Sequence, residues 1–209
     1  MKTVLGVVAL VLLGVLVIGG FAGAGIYNGL VGSSQGVDQA WAQVENVYQR
    51  RADLVPNLVA TVSGAANFEK STLTEITAAR ASVGQVKLAA NQAPADPAKL
   101  AAFQQAQEQL SGALSRLLVV SERYPELKAT ANFRDLQAQL EGTENRITVE
   151  RQKFNEAVQG YNTQVKRFPN VLLAGWFGFQ AKPYFTAKAG TDTPPAVQFD
   201  FGGKPAAAQ

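Results

Sequence analysis

Residues 133–165 read FRDLQAQLEGTENRITVERQKFNEAVQGYNTQV, and their periodicity decides the fold. Phe133, Leu136, Leu140, Ile147, Phe154, Val158, Tyr161 and Val165 recur at heptad-like spacing, which winds one apolar stripe along a helix of about 50 Å. Nothing here alternates with the period of two that a half-buried strand requires. Pro169 stops the helix by removing a backbone donor.

The same period continues upstream. Tyr124-Pro125 ends a preceding helix, because a residue before proline is pushed out of the α region. That helix begins at Asp96-Pro97, an N-cap followed by an N1 proline, and turns Leu100, Phe103, Leu110, Leu114 and Leu117 inward. Asn91 to Pro97 is a loop, and a helix from about Phe68 to Leu88 carries Thr72, Ile76, Ala79, Val83 and Val86 on one face. Before it, Val37, Trp41, Val44, Tyr48, Val55, Leu58 and Val62 form a stripe interrupted only by Arg51. Ser33 or Ser34 is the expected N-cap of this helix, Pro56 the expected kink, and Gly64 to Asn67 the break. The fold class expected is all-α: an elongated antiparallel up-and-down bundle of about four long helices with coiled-coil-like seams.

Residues 4–26, VLGVVALVLLGVLVIGGFAGAGI, have no polar or charged side chain. As a helix they are about 34 Å long, enough for a hydrocarbon core of about 30 Å. The first reading is a single-pass anchor with Val4, Leu12, Leu16, Gly19, Gly23 and Ile26 among its membrane residues. A cleaved signal peptide is the rival, with Lys2 as the positive region and Ala22-Gly23-Ala24 as the cleavage pattern. Lys2 against the cation-free residues 28–49 places the N-terminus in the cytoplasm and the bundle outside. Gly19 and Gly23 form a G-x-x-x-G pair that would let two anchors pack closely.

The 209 residues carry 19 Lys and Arg against 16 Asp and Glu, a net charge of +3, with no His and no Cys. Disulfides, thiol nucleophiles, imidazole bases and His- or thiolate-ligated metals are therefore excluded. An excess of +3 over this length makes no phosphate-tracking stripe, so nucleic acid is not expected as a partner. Without the apolar segment the hydrophobic share falls from 47% to about 44%, that of a soluble domain.

The expected division is an anchor at 1–27, a helical bundle at 28–168, an aromatic-rich flap at 169–201 and a flexible tail at 202–209. The flap region contains Trp176, Phe177, Phe179, Tyr184, Phe185, Phe199 and Phe201, with Phe168 just before it. It is expected to cover core along the bundle. The alternative is bilayer contact through Trp176 and Phe177, with Lys182 reaching a headgroup.

Three other constellations stand out. Arg50, Arg51 and Asp53 form either a docking patch or a local network with an Arg50–Asp53 pair, and Asn57 is placed to bond carbonyls freed by Pro56. Glu122, Arg123, Tyr124, Glu126 and Lys128 form either a surface epitope or a charge-closed corner. Glu141, Glu144 and Glu150 with Asn145 and Asn155 resemble a bundle metal set, but Arg146, Arg151 and Lys153 among them favour salt bridges. The candidate partner surface is accordingly Arg50, Arg51, Asp53, Glu122, Tyr124, Trp176 and Phe177. Catalytic, cofactor and metal residues are none.

The chain resembles the LemA family from Tyr27 to Phe201. The resemblance rests on Tyr27-Asn28-Gly29-Leu30-Val31, Trp41, the run Arg50 to Leu58, Ala79-Arg80-Ala81, Glu122 to Lys128 and Asn132-Phe133. It continues with Glu144-Asn145-Arg146-Ile147, Arg151, Phe154-Asn155, Tyr161-Asn162, Phe168-Pro169, Gly178-Phe179 and Tyr184-Phe185. The family usually has Tyr where this chain has Phe154, which removes a hydroxyl there. The resemblance implies a membrane-anchored helical bundle with no established enzyme activity or cofactor. A long bundle without a catalytic constellation, tethered by an anchor, points to a single-pass scaffold of the bacterial cell membrane that engages an envelope or membrane protein, in membrane organisation or protein quality control. The heptad-like stripe with the G-x-x-x-G pair points to self-association. The alternative is a lipid-binding or membrane-shaping protein acting through its aromatic C-terminal segment and bundle.

Overall fold

A computed structural model of the chain describes residues 1–64, 68–86, 88–89 and 91–186. The described residues contain six helices and no strand: α1 (Lys2–Ser63), α2 (Lys70–Gln85), α3 (Pro97–Ser121), α4 (Pro125–Ala129), α5 (Ala131–Lys166) and α6 (Asn170–Ala174).

The apolar N-terminal run and the first helix of the body are one element. α1 extends unbroken for 62 residues, about 93 Å at the usual rise. The expected N-cap at Ser33 or Ser34 is thus corrected. Leu30, Val37, Trp41 and Val44 continue one buried stripe through the two serines, so packing holds this stretch helical despite its capping preference. The Ser33 hydroxyl instead donates to Gln164 Oε1 at 2.6 Å. Within residues 4–26 large side chains such as Leu5, Leu12, Leu16 and Phe21 are exposed, and this helix is long and apolar enough to cross a membrane.

Other boundaries follow local chemistry. Asp96 caps α3 by accepting from the Ala98 N–H at 2.8 Å, with Pro97 at the first helical position. Thr130 caps α5 through its hydroxyl and the Phe133 N–H. Pro56 lies inside α1, where the Ala52 carbonyl loses its usual i+4 donor. Arg80 from α2 supplies one, Nε to Ala52 O at 3.1 Å, whereas exposed Asn57, the expected partner, offers only its own carbonyl to the Thr61 hydroxyl.

α1 packs most closely on α5, and α2 on α3. Ser33 meets Gln164 and Arg51 meets Glu144, so α1 and α5 run in opposite directions; Glu75–Arg116 and Ser82–Gln109 show the same for α2 and α3. Two apolar clusters result. One gathers Leu30, Trp41, Tyr48, Phe103, Phe154 and Val158; the other gathers Leu58, Val62, Ile76, Leu110, Leu117 and Phe133. Most of the inward residues expected from periodicity occupy these clusters, with Leu136, Ala79, Val83 and Val86 at their margins, while Thr72 is buried but belongs to neither.

Candidate functional site

A polar layer separates the two clusters, and Arg51 is its centre. The residue falls in the apolar stripe of α1 between Tyr48 and Leu54, so helical geometry turns its side chain inward, where it is 1% exposed. Its Nη1 donates to Ser111 Oγ at 2.5 Å and to Glu144 Oε1 at 2.7 Å. Its Nη2 donates to the Gln107 carbonyl at 3.1 Å and to Gln107 Oε1. The guanidinium also lies 5.0 Å from the Tyr48 ring centroid, leaving only Nε without a partner. One cation thus ties α1 to α3 and α5, because a buried guanidinium must spend its donors on whatever the neighbouring helices present.

Beside this layer a cleft of about 380 Å³ is lined by Ser111, Leu114, Ser115, Leu118, Leu140, Glu141, Glu144 and Asn145. Ser111 and Glu144 are already engaged by Arg51, and Glu141 accepts from Gln137. Burial pushes the Tyr48 phenol above its ordinary value, against the pull of Arg151 and Arg51. Tyr161 is raised by burial first and by the Asp38 charge second. The acids expected among the salt bridges are spread out: Glu144 goes to Arg51, Glu150 to Lys153 at 2.9 Å, and Glu141 to Gln137. Among the described residues no three acids converge as a metal set would require.

The second arrangement is the extended segment 180–186, bound along α5 by two asparagines. The side-chain amide of Asn162 donates to Lys182 O at 2.9 Å and accepts the Lys182 N–H at 2.8 Å. Asn155 repeats this with Phe185, at 3.0 and 2.9 Å. Two helical turns between the asparagines advance about 10.5 Å, and three residues of extended chain advance about 10 Å, so both pairs close together. Phe185 then stacks on Trp41 at 6.0 Å and meets Phe154 edge-on at 5.4 Å, while Thr186 O accepts from Gln104 and Arg151. Phe154 is fully buried beside them, packing without the hydroxyl of a tyrosine. Sequence reasoning left this asparagine role unrecognised; the repeated aromatic-Asn pair at 154–155 and 161–162 was the available signal.

Lys182 corrects a further expectation. Its Nζ lies 2.8 Å from Asp38 Oδ1, the pair being 12% and 17% exposed, so the cation is turned inward rather than toward a headgroup. The same Asp38 oxygen accepts the Ala93 N–H at 3.0 Å, joining the α2–α3 loop to the C-terminal segment.

The residues expected to form a partner surface lie at three levels of the body. Arg50 and Asp53 are exposed toward the C-terminal end of α1, but Asp53 accepts from Gln49 at 2.8 Å instead of pairing with Arg50, and buried Arg51 presents no surface. Glu122 pairs with Lys128 at 2.6 Å at the α3–α4 corner, where Tyr124 packs on Phe68. Trp176 and Phe177 lie at the opposite end, with Phe177 edge-on to Tyr27 at 5.2 Å and Trp176 88% exposed. Of the residues expected to lie in an anchor, Val4, Leu12 and Leu16 are exposed and Ile26 packs on the first cluster. A side chain grown at Gly19 would meet open space, whereas one at Gly23 would meet Leu173 Cδ1 of the same chain at 4.0 Å. Phe199 and Phe201 fall outside the described residues.

Comparison with known proteins places this geometry in a family context. The profile described as the LemA family matches residues 40–199. Magnetosome protein MamQ 2 of Paramagnetospirillum magneticum is 34% identical over 82 residues, 39% of this chain and 30% of that protein. Magnetosome protein MamQ of Magnetospirillum gryphiswaldense is 33% identical over the same length. The chain spans 30% of the length of these curated relatives.

Proposed function

The chain belongs to the LemA family, and from that premise we propose that it is a non-enzymatic scaffold of the bacterial cell membrane. Family members are not known as enzymes, and one N-terminal apolar helix fits a single-pass protein. In this reading the helices form an elongated antiparallel up-and-down bundle, closed by the C-terminal flap, outside the membrane, with the N-terminus in the cytoplasm. It associates with further copies of itself and with an envelope or membrane protein, serving membrane organisation and protein quality control.

The continuity of α1 carries this proposal. A single helix holds both the apolar span and the stripe of the core, so the body stands on the membrane without a flexible joint, and tethering concentrates its surfaces in one plane. Light scattering on the full chain in detergent tests it. Masses at multiples of the monomer are expected, and a monomer at every concentration overturns self-association.

A second reading, lipid binding or membrane shaping through the aromatic C-terminal segment, is favoured by one observation: Phe168, Leu172 and Trp176 stand exposed near the anchor. Reconstitution at rising protein density should then change vesicle diameter, and a constant diameter removes the membrane-shaping form.

A further inference from the structure

We propose that Phe168, Val171, Leu172 and Trp176 form a collar that enters the interfacial layer of the bilayer beside the anchor, fixing its depth and the stance of the body. This rests on the reading that α1 spans a membrane, and adds a surface, its occupant and its depth.

Position comes first. Leu173 and Ala174 of α6 turn toward the body, and Leu173 reaches within 4.0 Å of the Cβ position of Gly23, inside the apolar run that ends at Ile26. Gly23 lies about 4.5 Å inside that run at the helical rise, close to the 5–10 Å to which interfacial segments sink. Tyr27 fastens the next part of the segment, meeting Phe177 at 5.2 Å and Phe179 at 5.8 Å. Because α1 continues unbroken from span to core, whatever packs at residues 23–27 is carried to the membrane surface.

Chemistry agrees with position. Phe168 is 75% exposed, Val171 48%, Leu172 63% and Trp176 88%, so the four present apolar surface that none of the described residues covers. Tryptophan favours the headgroup level, where its ring is apolar on one side and its N–H remains wet. Charge is arranged accordingly: residues 157–186 contain no acid, and exposed Lys166 and Arg167 immediately precede Phe168, placed for lipid phosphates. A phospholipid interface therefore matches both the apolar side chains and the flanking cations.

The chain has two tryptophans, and Trp41 is fully buried, which makes Trp176 a resident probe. The full chain and its Trp176→Phe variant are reconstituted into vesicles of phosphatidylcholine brominated near the carbonyl end of the acyl chains. Flotation first reports whether the chain is anchored, and circular dichroism confirms that the surface substitution leaves it folded. The expected result is that the wild type loses about half its emission to bromine while the variant loses almost none. Equal quenching in both proteins, with flotation intact, overturns the collar alone. A blue-shifted Trp176 that bromine does not quench overturns it in favour of a second copy covering the patch. Failure to float overturns the anchored reading and the collar with it.

Discussion

Arg51 and Glu144 meet at 2.7 Å across α1 and α5, with the guanidinium 1% exposed and the carboxylate 43% exposed. The asymmetry assigns different consequences to the two ends. Water can solvate Glu144 if its partner is removed, whereas Arg51 depends on protein acceptors.

Replacing Arg51 by Ala is expected to destabilise the body by about 2–5 kcal/mol, since it leaves a cavity where three helices meet and strips the buried Gln107 acceptors of their donor. Glu144→Gln should be milder, about 1–2 kcal/mol, because the amide oxygen still accepts and Ser111 and Gln107 remain. Urea unfolding of both variants and their double variant measures the coupling. Equal losses for the two single changes contradict the asymmetry.

The asparagine pair makes a prediction with a local readout. Asn155→Leu and Asn162→Leu each remove two hydrogen bonds to the extended segment, for a loss of about 1–3 kcal/mol. Amide exchange should accelerate at Phe185 for the first and at Lys182 for the second. With Phe185 stacked on Trp41, the first should also alter Trp41 emission more. Unchanged exchange at both sites rules out the asparagines as the clamp.

Arg80 and Pro56 should be coupled although no hydrogen bond joins their side chains. Arg80→Ala leaves the Ala52 carbonyl without its donor and is expected to lower stability by about 1 kcal/mol. Pro56→Ala restores the helical N–H at that carbonyl and should stabilise by about 1–3 kcal/mol, Pro56 being exposed. In that background the Arg80 substitution should lose most of its effect. Additive changes, measured by thermal unfolding, count against this.

Tyr48 and Tyr161 set an alkaline limit. Burial raises both phenols above 10.0, so in strong base the native state retains protons that the unfolded chain has released. Their contribution is intact below pH 10.0 and is lost as pH rises through the raised native values. Melting temperature should therefore fall from about pH 10 upward, and Tyr48→Phe should flatten the decline. The same slope in wild type and variant removes Tyr48 from the account.

Much of the helical plan follows from local chemistry. The stripes of α3 and α5, the Asp96-Pro97 start and the stop before Pro169 depend on residues within a few positions of one another. The Ser33 boundary does not, because a capping residue competes with packing whose partners are remote. The candidate surface was misread at Arg51 for the same reason. Along the sequence it is one cation in a charged run, and its acceptors are 56, 60 and 93 positions away.

By itself the sequence determined that the protein is helical, that one end is a continuous apolar span, and that no histidine or cysteine chemistry is open to it. Period, helix-stopping residues and composition are local quantities, so they survive without coordinates. Only the tertiary structure decided that the span and the core share one helix, that Lys182 turns inward to Asp38, and that Leu173 occupies the face of Gly23. Each depends on distant segments meeting: a side chain's chemistry is set by its type, but its partner by the packing that brings another segment within a few ångströms.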